Sequence, residues 1–189
     1  KDAVACINEI NQAFVDTVRA TGGNNLNRYL MIPGYDASAD GATNAGFVLP
    51  TDAEGVENKL IISVHAYTPY NFALQADSES GSSSAFDSDT ARFTTDIDNF
   101  MDKLYNKFIK EGVPVVIGEF GSRDKNQNIQ SRIDHAAYYV AAARARGMTC
   151  FWWDNNAFTG KGENFGLYYR RGGYFIFPDI VTALMKYAD

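Results

Sequence analysis

Cysteine, histidine and basic charge are all scarce in this 189-residue chain, and each shortage narrows what it can do. Only two cysteines occur, Cys6 within a helical pattern and Cys150 at the start of an apolar strand, so both read as small core residues instead of a disulfide framework. Lys and Arg number 17 against 23 Asp and Glu, a formal charge of -6, and the basic residues form no stripe, which argues against nucleic acid as a partner. No apolar run approaches the ~20 residues needed to cross a bilayer. The first residues, KDAVACINEI, lack the charged-then-apolar layout of a signal peptide, so a soluble chain with no membrane partner is expected. A Cys/His cluster, a His-x-x-x-His pair, a Gly-x-Ser-x-Gly elbow and a glycine-rich phosphate loop are also missing. No metal and no cofactor are therefore expected, and carboxylate chemistry remains.

What is present suffices for one core. Apolar residues make up 46% and aromatics 14%, which predicts a single unit over 1–189. Val4, Ile7, Ile10, Phe14, Val15 and Val18 fall at helical spacing and Gly22-Gly23 stops the segment. RYLMIP (28–33) reads as a buried strand running into a Pro33-Gly34 turn, and 36–58 as a surface loop. KLIISVHAY (59–67) is the next strand, followed by a loop whose Ser/Gly-rich stretch, 78–84, is expected to be mobile. A helix through Phe93 to Phe108, a strand at 113–119, a helix through Ile129 to Val140, the strand MTCFWWD and a short helix opened by Pro178 complete the order. Four strands with helical connections predict a parallel α/β sheet, and the unbroken apolar runs predict cover on both of its faces.

Each strand ends in polar or aromatic groups: LIISV in His65-Ala66-Tyr67, VPVVIG in Glu119, TCFWW in Trp153-Asp154. The carboxyl ends of parallel strands emerge on one side, so these groups converge, and active sites of α/β barrels and open sheets sit on that side. An ionised carboxylate is costly at the edge of a core unless it is used, which singles out Glu119. Tyr67, two residues past His65, points to the same side of its strand. Trp153 offers a flat face suited to stacking on a sugar ring. His135, in the amphipathic helix, is expected in solvent.

The stretches INEINQAFVDTVRATGGNN, RYLMIPGY, SVHAYTPYNF, VVIGEFGSRDKN and WWDNN followed by GENFGL resemble glycoside hydrolase family 5, and within it the bacterial branch acting on β-glucans and xyloglucan. The resemblance implies a TIM-type (β/α)8 barrel and a retaining mechanism. Glu119 matches the nucleophile at the end of strand seven, and His65 and Tyr67 the strand-six pair beside it. Trp153 matches the strand-eight tryptophan under the cleaved sugar, and Glu163 is a candidate for hydroxyl contacts farther along the cleft.

The Asn-Glu-Pro motif that carries the family's acid/base glutamate has no match. Asn8-Glu9 is followed by Ile10 and no strand precedes it, so Glu9 reads as a solvated helix residue. A complete barrel takes ~250 residues, and four strand units fill half of one. The chain is thus expected to be the second half, strands 5–8 with their helices. Its partners would be a β-glucan polysaccharide or oligosaccharide and either the N-terminal half or a second copy of itself, with Asp154 and Glu163 as possible stand-ins for the missing carboxyl. The activity implied is a retaining endo-hydrolase of β-1,4-glucan (cellulose, mixed-linkage glucan or xyloglucan), extracellular in location. Mannanase or xylanase action, or a non-catalytic half-barrel module that binds glucan or protein, are the alternatives.

Overall fold

The computed structural model describes residues 2–160 and 162–187. Asp2 caps the first helix, α1 (Ala3–Ala20), by accepting from the Val4 amide at 3.0 Å. Its apolar spacing predicts a buried face through Val4, Ile7, Ile10, Phe14, Val15 and Val18; Val15 is buried and Val4, Ile7 and Val18 pack against the core, yet Ile10 and Phe14 are exposed while Asn11 and Arg19 are buried. The cause is polar. Asn8 and Gln12 pair through their amides with the backbone of Gly46, Val48 and Thr51, Asn11 Nδ2 donates to Pro33 O at 2.8 Å, and Arg19 forks onto Asp52 at 2.7 and 3.0 Å. A long loop must satisfy its backbone groups somewhere, and α1 supplies the partners.

β1 (Leu30–Ser38) runs past the turn expected at Pro33-Gly34, and Ser38 then caps α2 (Ala39–Thr43), a short helix inside what reads as loop. α2 lies directly on β1. A Cβ at Gly34 would overlap the Ala42 backbone and one at Gly41 would overlap Tyr35 O, so this approach requires glycine at both positions.

β2 (Leu60–His65), β3 (Val115–Phe120) and β4 (Thr149–Trp152) join β1 in chain order to form one parallel sheet, with Leu30 opposite Leu60, Ile62 opposite Val115 and Val116 opposite Thr149. After β2 the chain makes a single turn, α3 (Tyr70–Ala73), before α4 (Ala91–Lys107); α5 (Ile129–Ala145) returns it to β4. A two-stranded hairpin, β5 (Tyr168–Tyr169) and β6 (Tyr174–Phe175), precedes α6 (Pro178–Met185), which packs on α5. This is the parallel sheet with helices that the strand and helix order predicts.

Leu30, Ile32, Ile62, Val64, Val115 and Ile117 are buried beneath the helices, whereas Met31, between buried Leu30 and Ile32, is exposed, as are Tyr35 and Phe151. The apolar runs predict cover on both faces; the described helices cover one.

α5 corrects a second expectation. His135 is 0% exposed, because this helix buries a wide face through Arg132, His135, Ala136, Tyr139 and Val140. The Ser/Gly-rich stretch is likewise pinned: Lys125 Nζ donates to Asn71 O, Ser82 Oγ and Ser83 O at 2.6, 2.9 and 3.1 Å, and Asn128 Nδ2 to Ser84 O at 2.9 Å. Burial draws the Lys125 amine down to about 8, with Arg123 adding to the effect, so it keeps its three donors at neutral pH. No helix among the described residues is long and apolar enough to cross a membrane.

Candidate active site

Three adjacent strand ends build the site. Past the last paired residues, Ala66 N donates to Glu119 O at 2.9 Å and Trp153 N to Phe120 O at 2.8 Å, so the backbone itself brings His65, Glu119 and Trp153 side by side. Tyr67 Oη donates to Glu119 Oε2 at 2.9 Å, and His65 Nδ1 lies 3.5 Å from the same oxygen, an ion pair only when the imidazole is protonated. The Glu119 side chain is 26% exposed and that of His65 41%, which leaves the carboxylate open from one side. Burial, the hydrogen bond to Glu119 and the nearby negative charges push the Tyr67 phenol upward, so it is a donor at every working pH. Trp153, the residue after β4, is 41% exposed.

The structure therefore brings Glu119, His65, Tyr67 and Trp153 together. Glu163 is also close enough for its charge to raise Tyr67, but it is exposed and its carboxylate makes no hydrogen bond to the Tyr67–Glu119 pair. Its backbone carbonyl accepts from Asn155 Nδ2 at 2.6 Å, which holds the loop after β4 in place. Asp154 departs from its expected availability as a second acid: Oδ1 accepts from Asn156 N and Oδ2 from Tyr168 N, each at 2.9 Å, and Arg170 is 3.9 Å away. A carboxylate tied to two amides serves the turn into the hairpin. Glu9 is exposed on α1, as expected.

Sequence reasoning missed Phe165. This fully buried ring packs against Tyr67 at 5.3 Å between centroids, its carbonyl accepts from Trp152 Nε1 at 3.0 Å, and a Cβ at Gly121 would press on it at 3.2 Å. A lone phenylalanine in a loop carries no periodic signal. Arg123, also buried, ties the loops flanking the site by donating to Leu74 O at 2.9 Å and to Gly162 O at 2.7 Å. Among the described residues no group of three His, Cys, Asp or Glu is placed to hold a metal ion.

One carboxylate, oriented through a single oxygen and open to a wet aromatic surface, can attack an electrophilic carbon or accept a proton. Comparisons with known proteins narrow the choice. The family described as Cellulase (glycosyl hydrolase family 5) matches residues 1–159. Endoglucanase A of Clostridium longisporum is 45% identical over 181 residues, covering 95% of this chain and 33% of that protein; Endoglucanase 1 of Ruminococcus albus is 43% identical over 188 residues, 100% of this chain and 43% of that one. Among solved structures, a family 5 lichenase from Caldicellulosiruptor sp. F32 superposes with a TM-score of 0.98 at 61% identity, covering 100% of this chain and 50% of the lichenase. A family 5 xyloglucanase from Paenibacillus pabuli does so at 0.86 with 33% identity, covering 98% and 56%. The chain thus spans about half the length of these solved relatives, and less than half of the curated ones.

Proposed function

This chain belongs to glycosyl hydrolase family 5, and from that premise we propose that it is the nucleophile-bearing half of a retaining endo-β-1,4-glucanase, comprising strands 5–8 of a (β/α)8 barrel. The observation that carries the reading is the Tyr67–Glu119 hydrogen bond of 2.9 Å at the end of β3. Tyr67 and His65 both address Oε2, so the other oxygen is the one to attack the anomeric carbon. Attack forms a glycosyl-enzyme that water then hydrolyses, with retention of configuration. Tyr67 keeps the carboxylate in line for attack, and Trp153 stacks beneath the sugar whose bond breaks. Glu163 reaches hydroxyls farther along the cleft.

Retention needs a second carboxyl group ~5 to 5.5 Å from the nucleophile to protonate the leaving oxygen. Asp154 is committed to the amides of Asn156 and Tyr168, so in this reading the N-terminal half of the barrel supplies the acid. That half is the natural partner because the chain matches 50% of the lichenase and leaves one sheet face open. The substrate is a β-glucan, in keeping with the lichenase and endoglucanase names of its relatives.

The test is hydrolysis by the assembled barrel. Glu119→Ala should lower turnover of a soluble β-glucan by ~10⁴-fold or more, several kcal/mol of barrier, and unchanged reducing-end release sinks the assignment. Activity of the chain alone should be absent. A complex that binds glucan without cleaving it would instead identify a non-catalytic module.

A further inference from the structure

Tyr67 lies beyond the end of β2, where the last ladder contact is Ala66 N to Glu119 O at 2.9 Å. Sheet pairing does not fix a residue in that position, yet its hydroxyl sits 2.9 Å from Glu119 Oε2. The carbonyls on either side of it explain how. Ala66 O accepts from Tyr139 Oη at 2.7 Å, and Thr68 O accepts from His135 Nε2 at 2.9 Å.

Carbonyls two residues apart in extended chain point the same way and stand ~6.6 Å apart, while side chains four apart on a helix stand ~5–6 Å apart on one face. His135 and Tyr139 are spaced by four on α5 and so match the two acceptors. Both are 0% exposed. The Tyr139 ring also stacks on Phe120, the residue after Glu119, with centroids 4.2 Å apart and planes 9° apart. One turn of α5 thus grips both ends of the Tyr67–Glu119 hydrogen bond from behind. His135 keeps its proton on Nε2 in this arrangement, and its other nitrogen has no partner among the described residues.

We propose that His135 and Tyr139 are positioning residues that hold the Tyr67 hydroxyl on Glu119 by anchoring the carbonyls of Ala66 and Thr68. The proposal rests on the reading of Glu119 as nucleophile for its effect on rate, and on geometry alone for its effect on Tyr67.

Two measurements on the assembled barrel separate these. In steady-state hydrolysis of a soluble mixed-linkage β-glucan, Tyr139→Phe and His135→Leu should each lower kcat about 10- to 100-fold with KM little changed, the loss expected when a positioning group moves by about 1 Å. His135→Gln, which offers an amide N–H near the same place, should recover most of the loss. In a Tyr67→Phe background Tyr139→Phe should add little. An unchanged kcat in both single variants, or an undiminished loss in the Tyr67→Phe background, overturns the proposal. Crystal structures of Tyr139→Phe and His135→Leu give the second readout: the Tyr67–Glu119 separation should lengthen past hydrogen-bonding distance, and retention at 2.9 Å overturns the proposal whatever the rates. An inactive wild-type barrel would sink the glucanase reading and leave the crystallographic comparison to decide this one.

Discussion

His135 packs among the rings of Phe72, Phe86, Phe120 and Tyr139, where a charge has no compensation and Arg132 adds repulsion. Burial holds the imidazole down to about 4, against 6.5 when it is in water, and only the Thr68 carbonyl works the other way. The folded state therefore keeps it neutral while the unfolded chain takes up a proton as pH falls through 6.5. Above that pH the group contributes nothing; between 6.5 and 4 the native state loses up to roughly 3 kcal/mol. We expect His135→Gln to flatten this part of the stability-pH profile in denaturant titrations, and an acid limb as steep as the wild type's would contradict a neutral buried imidazole. A histidine in a helical pattern reads as solvated because periodicity sorts apolar from polar and does not register a polar ring whose one hydrogen bond is met inside. Glu119, Tyr67, His65 and Trp153 were legible for the opposite reason: each follows an apolar strand, and parallel pairing brings such ends together.

The elements show where that legibility stops. All four strands and the long helices begin within a few residues of where the apolar runs and spacing put them, although β1 runs on from Pro33 to Ser38 and the cover expected on both sheet faces is met on one. α1 turns Val4, Ile7, Val15 and Val18 inward as predicted, but it also buries Asn11 and Arg19 and leaves Ile10 and Phe14 exposed. Its buried Arg19 donates to Asn25 O and Arg28 O as well as to Asp52, and the pair is nearly closed to solvent. The Arg19 guanidinium holds the Asp52 carboxyl below its usual range, so the pair is intact above the ordinary carboxylate pKa of 3.8 and is lost as pH falls below it. Asp52→Ala would strand a buried guanidinium and should cost roughly 3 kcal/mol at neutral pH in chemical denaturation. A loss within error of zero would mean that the two carbonyls alone satisfy Arg19. Side chains that serve a distant loop, such as Asn8 and Gln12, leave no periodic trace in the sequence.

At the scale of the whole molecule, the sheet keeps one face and two edges uncovered among the described residues. The sheet order leaves β1 and β4 at the edges, and paired cover for edges is what barrel closure provides. Met31, Tyr35 and Phe151 stand exposed on the strands, Phe151 by 56%. Beside β4 a groove of about 230 Å³ is lined by Met148, Phe151, Leu184 and Met185 among others. Apolar surface of this kind drives association, and an N-terminal half-barrel would offer two strand edges and a helix layer to match. Native mass spectrometry of this chain mixed with the first half of a family 5 relative should show a one-to-one pair, with glucan hydrolysis appearing only in the mixture. Phe151→Glu removes about 2 kcal/mol of burial and sets a charge in the interface, so the pair should bind at least ~30-fold more weakly. Two copies of this chain persisting together in place of the mixed pair, or a Phe151→Glu variant that pairs as tightly as the native chain, would show that something other than the proton-donating half closes this sheet.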